Sequence, residues 1–215
     1  MNLTNLEMVA VTATLAAILM VGSRHLRLNL LLYSLQTLAI AGSTVLRGQE
    51  EGSSELVWVA LAITVLKAIA TPIFLSWIIR RVSVQNDTGT MLPAPVAMHL
   101  SIALFAVSYV LTRQLPAAPG GGTGVGAACG LSLLFTGLLL MLTRRVALSQ
   151  IVGFLTMENG IYLFALTQTV GMPMMVESGI FLDVLVGVMI AGLLLFRIKS
   201  SFEHLDVTQL SELKE

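Results

Sequence analysis

The sequence predicts an all-α, polytopic membrane protein of about seven transmembrane helices, and three observations carry that reading. First, of 215 residues 56% are hydrophobic and only 11% charged, with a mean hydropathy of +0.88; soluble domains are about 25% charged. Second, seven apolar windows approach the roughly 20 residues needed to cross a hydrocarbon core about 30 Å thick. Third, Arg24, Arg27, Arg80, Arg81, Arg144, Arg145, Arg197 and Lys199 all fall on one side of a seven-span arrangement, whereas the other side carries only Arg47 and Arg113. Basic loops stay cytoplasmic, so the N-terminus is expected outside and the C-terminus in the cytoplasm.

The first window, Leu6 to Gly22, follows Asn2 and Glu7 with no basic leader and no small-residue cleavage site, and is expected to be retained as a helix. The second, Leu28 to Leu46, sets Tyr33, Gln36, Thr37 and Thr44 on nearly one face, which either lines a water chain or packs against another polar stripe. The third, Leu56 to Ile79, holds Lys67 near its middle, flanked at helical spacing by Thr64 and Thr71. Pro72 has no N–H and frees the carbonyl of Ala68 beside the lysine. A charge at the bilayer centre costs about 2.5–3.5 kcal/mol on insertion scales. Lys67 is therefore either a group whose proton comes and goes with its surroundings, or a static member of an ion pair.

The fourth window, Pro95 to Leu111, starts near His99, read as a solvated interfacial histidine, and the fifth is Val125 to Thr143. The sixth, Leu148 to Val170, carries Thr156, Glu158, Asn159 and Tyr162. A desolvated carboxyl among amide and hydroxyl groups can be poised for proton transfer. The seventh, Val176 to Phe196, places Gly179, Asp183, Gly187 and Ala191 in one four-residue row, so Asp183 is expected to face protein. Lys67, Glu158 and Asp183 are the candidate proton-transfer residues, with Tyr33, Gln36, Thr64, Thr71, Asn159 and Tyr162 as a polar path.

The Pro/Gly stretch 116–124 divides a four-helix part, 1–115, from a three-helix part, 125–199, and a polar tail, 200–215, is expected to lie against a partner at the cytoplasmic face. Zero net charge and scattered basic residues give no nucleic-acid footprint. A single cysteine, Cys129, excludes an intrachain disulfide and a cysteine-ligated cluster within this chain. No nucleophile stands with a base and an orienting group, so no catalytic residue is assigned.

The string Gly153-Phe-Leu-Thr-Met-Glu158-Asn159-Gly160, then Gly179-Ile-Phe-Leu-Asp183-Val-Leu-Val-Gly187 and the ending from His204 to Lys214, resembles hydrogenase-4 component E. That family is the K-like membrane subunit of formate hydrogenlyase-type, group 4 nickel–iron hydrogenase complexes. The resemblance takes in Tyr33, Gln36, Lys67 and Pro72. The last three spans are also similar to the small K subunit of respiratory complex I, whose second and third helices each carry a buried glutamate. Asp183 stands where the second of these falls. With Gly153 aligned to the family's glycine, Leu155 takes the first acidic position and Glu158 lies one turn later.

The resemblance implies a non-catalytic subunit of a complex I-like oxidoreductase in a bacterial cytoplasmic membrane, wedged between a proton-channel module and antiporter-like subunits. It implies no cofactor in this chain; the nickel–iron centre and iron–sulfur clusters would belong to the soluble hydrogenase module. Two alternatives stay open: a K-like subunit of another complex I relative, including an Mrp-type cation antiporter, and a structural spacer that moves no proton.

Overall fold

A computed structural model describes residues 5–82, 87, 90–115 and 124–168. By internal packing the chain divides into Met1–Met175 and Val176–Glu215. The expected seventh span with Asp183, the tail and most of the Pro/Gly stretch lie outside the described residues.

The described residues form six helices and no strand. They are α1 (Asn5–Gly22), α2 (Leu26–Glu51), α3, α4 (Ala94–Thr112), α5 (Val125–Thr143) and α6 (Ala147–Gln168). α3 is continuous but of three parts: α-helical Ser54–Ala62, π-helical Ile63–Ala70 and α-helical Thr71–Val82. Five of the six, α1 to α5, are long and apolar enough to cross a membrane. Such a chain is a multi-pass membrane protein.

The helices begin and end for local reasons. α2 runs past the expected Leu46 because nothing breaks it before Gly52, which adopts φ +65°, a left-handed conformation open to glycine. The N–H groups of Gly52 and Ser53 both turn back to the Gly48 carbonyl, which closes the helix. The connection between the second and third windows thus shrinks to Gly52 and Ser53. α4 starts behind Pro93, with Pro95 in its first turn, where a missing N–H costs nothing.

α1, α2, α5 and α6 form the centre. Their shared core is small and apolar: Ala10, Ala13 and Ala17 of α1, Ile40 of α2, Cys129 and Leu133 of α5, and Leu163 and Leu166 of α6. α4 packs on α5 and α1, while α3 lies against α2 at the opposite edge. The outer faces of α3 and α4 stay exposed through Trp58, Ile69, Ile73, Trp77, Val107 and Val110. Apolar faces of this kind suit lipid or a partner helix.

The tightest contact joins α5 to α6. A Cβ at Gly130 would overlap the backbone of Phe164, one at Gly137 the backbone of Met157, and one at Gly160 the backbone of Leu134. Glycine at these positions lets the two backbones approach to direct contact, which is how membrane helices gain packing energy where water supplies none.

Candidate functional site

The site is built on the side of α6 turned away from that glycine seam. Lys67 Nζ lies 3.0 Å from Glu158 Oε1, joining α3 to α6. Both residues are buried, at 8% and 4% exposure. Two of the three ionisable residues singled out in the sequence are thus brought into one ion pair; Asp183 falls outside the described residues.

Lys67 belongs to the π segment, and the segment has a visible cause. The Thr71 N–H donates to the carbonyl of Leu66, five residues back, and the Thr71 hydroxyl donates to the same oxygen at 2.9 Å. Pro72 follows and cannot donate. In this register the carbonyl facing the proline is that of Lys67 itself, rather than Ala68 as α-helical spacing predicts. π segments are rare within α-helices and are frequently found at functional sites.

Next to the ion pair, α6 meets α2 through two hydrogen bonds of the same polarity. Asn159 Nδ2 donates to Thr37 Oγ1 at 3.0 Å, while Thr37 donates its proton to the Tyr33 carbonyl at 2.9 Å. One turn on, the Thr44 hydroxyl donates to the Ile40 carbonyl at 2.9 Å, so the Tyr162 hydroxyl, 3.1 Å away, is the donor to Thr44. Each threonine gives to its own helix and accepts from α6. Of the two readings of α2's polar face, packing against another polar stripe is the one realised at Thr37 and Thr44.

The remaining path residues are placed as follows. Tyr33 and Gln36 are fully buried on α2. Neither amide atom of Gln36 has a hydrogen-bond partner among the described residues. Thr64 turns its hydroxyl to the Ala60 carbonyl at 2.9 Å, and Thr71, which is half-buried, is occupied with Leu66. Neither threonine's recorded bond points to Lys67. His99 is exposed and back-bonded to the Pro95 carbonyl. Among the described residues no three His, Cys, Asp or Glu side chains gather as a metal site.

Sequence reasoning missed two features. One is the α5–α6 seam, whose signal was present as glycines at four- and seven-residue spacing: Gly126, Gly130 and Gly137 on one helix, Gly153 and Gly160 on the next. The other is which carboxylate Lys67 meets: an ion pair was one of the two readings of the lysine, but no spacing within either helix singles out Glu158 as its partner.

No family model matches the chain. It is 33% identical over 162 residues to hydrogenase-4 component E of Escherichia coli K12, covering 74% of this chain and 73% of that protein. The same figures hold for hydrogenase-4 component E of Shigella flexneri. An uncharacterized protein of Mycobacterium tuberculosis is 29% identical over 206 residues, covering 94% of this chain and 92% of the relative. No solved structure matches.

Proposed function

The chain belongs to the hydrogenase-4 component E family, and from that premise we propose that it is a membrane subunit of a multisubunit hydrogenase complex, passing protons through Lys67, Glu158 and Asp183. The observation that carries this reading is the Lys67–Glu158 pair, 3.0 Å apart and buried within a membrane helix bundle. Burying two charges costs several kcal/mol each before their attraction is counted, so such a pair is weak as a device for stability. It is well suited to function: protonation of Glu158 releases Lys67, and deprotonation recaptures it.

Asn159 and Tyr162 take a positioning role in this proposal. Their bonds to Thr37 and Thr44 are fixed in polarity by the threonine protons already committed to α2, so passing a proton along them requires both hydroxyls to turn. They hold α6 in register while the charged pair works. Asp183 continues the relay as the second acidic position implied by the complex I K-subunit likeness. Formate hydrogenlyase-type chemistry, with nickel–iron and iron–sulfur centres, is assigned to partner subunits in a soluble hydrogenase module. The membrane neighbours are antiporter-like and proton-channel subunits of a bacterial cytoplasmic membrane.

Glu158→Gln tests the relay, because glutamine keeps the shape and hydrogen bonds but exchanges no proton. The mutant complex should assemble and turn over its redox substrates in detergent, yet lose proton translocation in sealed vesicles. Normal pumping by the mutant would leave a structural spacer as the reading. The orientation has its own check: cysteines placed at Ser53 and Ser83 should label from the outside and the cytoplasm respectively, and labelling from one side only would overturn it.

A further inference from the structure

The outer face of α3 carries a row of large exposed side chains: Trp58, Leu61, Val65, Ile69, Ile73 and Trp77, all between 48% and 71% exposed. The row begins and ends on tryptophan, and these are the two tryptophans of the chain. Glu55 and Arg80, both exposed, stand three residues beyond them and bound the row with charge at each end. At one end Phe74 stacks on Trp77, with ring centroids 6.3 Å apart, and broadens the aromatic surface.

From Leu61 to Trp77 the row advances in steps of four residues. In an α-helix four residues overshoot a turn by about 40°, so Trp77 would come to lie about 160° around the axis from Leu61. The π segment Ile63–Ala70 closes its ladder over five residues instead of four, places more residues in each turn and so works against that drift. The row stays exposed from end to end, while Lys67 and Ala68 in the same segment are buried. The register that turns Lys67 inward therefore also keeps the outer row on the outer side.

Trp58 and Trp77 are 19 residues apart in sequence. At a rise of 1.5 Å per residue this is about 28 Å, close to the roughly 30 Å of a hydrocarbon core. Tryptophan is enriched at both membrane–water interfaces, where its ring sits at headgroup level. A contact with another membrane helix has a different signature, small residues that let backbones approach, as between α5 and α6. The members of the row between the tryptophans are leucine, valine and isoleucine, with no small residue among them. The exposed face of α4 is as apolar but has no tryptophan at either end.

We propose that this row is a lipid-facing surface, with Trp58 and Trp77 at the two headgroup levels and the four aliphatic residues against acyl chains. Lys67, nine residues from one tryptophan and ten from the other, is then held at the middle of the bilayer on the inner side of the same helix. Hydrocarbon closes the outer side, so neither water nor a partner subunit reaches the Lys67–Glu158 pair across α3, and a proton arriving at the pair travels within the bundle. That last consequence rests on the relay reading; the lipid surface rests on membrane insertion alone.

The test is photocrosslinking of the chain within its complex, irradiated in the native membrane, with benzoylphenylalanine placed singly at Leu61, Val65, Ile69 or Ile73. Each position should give phospholipid adducts by mass spectrometry and no crosslink to another protein on denaturing gels. A crosslink to another protein at any of the four, or the absence of a lipid adduct at any of them, would overturn the lipid assignment and leave a partner helix as the occupant of this face.

Depth has a separate readout. An arginine is costly at the bilayer centre and cheap at headgroup level, where it reaches water. Ile69→Arg should therefore lower the abundance of the chain in membranes severalfold, whereas Trp58→Arg should leave it near normal. Equal abundance of the two variants, or the reverse order, would overturn the placement of Trp58 at the interface. Neither measurement involves proton transfer, so both stand or fall apart from the Glu158→Gln experiment.

Discussion

The two sides of α6 use opposite means of holding a membrane helix. Toward α5 it presents Gly153 and Gly160 to Gly130 and Gly137, with backbone against backbone and no room for a Cβ. Toward α2 and α3 it presents Glu158, Asn159 and Tyr162, each meeting a polar side chain at 3.0 to 3.1 Å. The glycine side gains from close packing that tolerates no change of shape. The polar side depends on charge and hydrogen bonds, which change with a proton. A helix proposed to keep its place while its one carboxyl group, Glu158, gains and loses a proton would use both.

The glycine side should be the harder to alter. Gly137→Leu forces a branched side chain into the backbone of Met157, an overpacking whose usual cost of about 1–3 kcal/mol assumes that neighbours can move. Here the neighbour is main chain, so the expected outcome is loss of the folded chain from the membrane. The chain's abundance and protease resistance in membranes read this directly. Wild-type abundance would mean that the seam is not the fixed side of α6.

The polar side should respond to which partner is removed. Lys67→Met leaves Glu158 buried without its cation, a change that costs about 3–5 kcal/mol unless the carboxyl takes up a proton. Glu158→Gln leaves the lysine, and the double variant removes both charges together. The double variant should be more stable than Lys67→Met alone, a coupling that a double-mutant cycle on thermal stability would expose. Additive effects would show that the 3.0 Å pair contributes no mutual energy, and both the ion-pair reading and the contrast between the two faces would fail.

Much of this was legible in the sequence, for reasons that differ by residue. The apolar windows located all six described helices, and Val125–Thr143 matched to the residue, because glycine and arginine bound it sharply. α2 ran five residues further at its C-terminal end than hydropathy indicates, since Arg47 and Glu51 pair at 2.7 Å and let a polar turn stay helical. Lys67 and Glu158 stood out as costly charges, but their meeting is tertiary and has no local signature. The π register around Lys67 was also out of reach. Pro72 signals a disturbed ladder, but which carbonyl goes without a donor depends on how the preceding turn widens. Arg144 read as one more loop arginine, since its burial arises only when α1 ends against the α5–α6 turn.

The smallest expected effect sharpens the account of the polar side. Thr44→Val removes an acceptor for Tyr162 while keeping the shape of the side chain, and Tyr162→Phe removes the donor. Hydrogen bonds between membrane helices average about 0.6 kcal/mol in double-mutant cycles, so neither variant should unfold the bundle. Because Thr44 also donates to the Ile40 carbonyl, Thr44→Val loses a second, intrahelical bond and should cost slightly more than Tyr162→Phe. The double variant should cost no more than Thr44→Val, since the shared bond is lost only once. If these two groups position α6 without carrying protons, Tyr162→Phe should leave proton translocation in vesicles near normal while Glu158→Gln abolishes it. A Tyr162→Phe complex that folds and turns over but does not pump would move the tyrosine into the relay. The hydroxyl contacts between α2 and α6 would then be part of the path rather than its support.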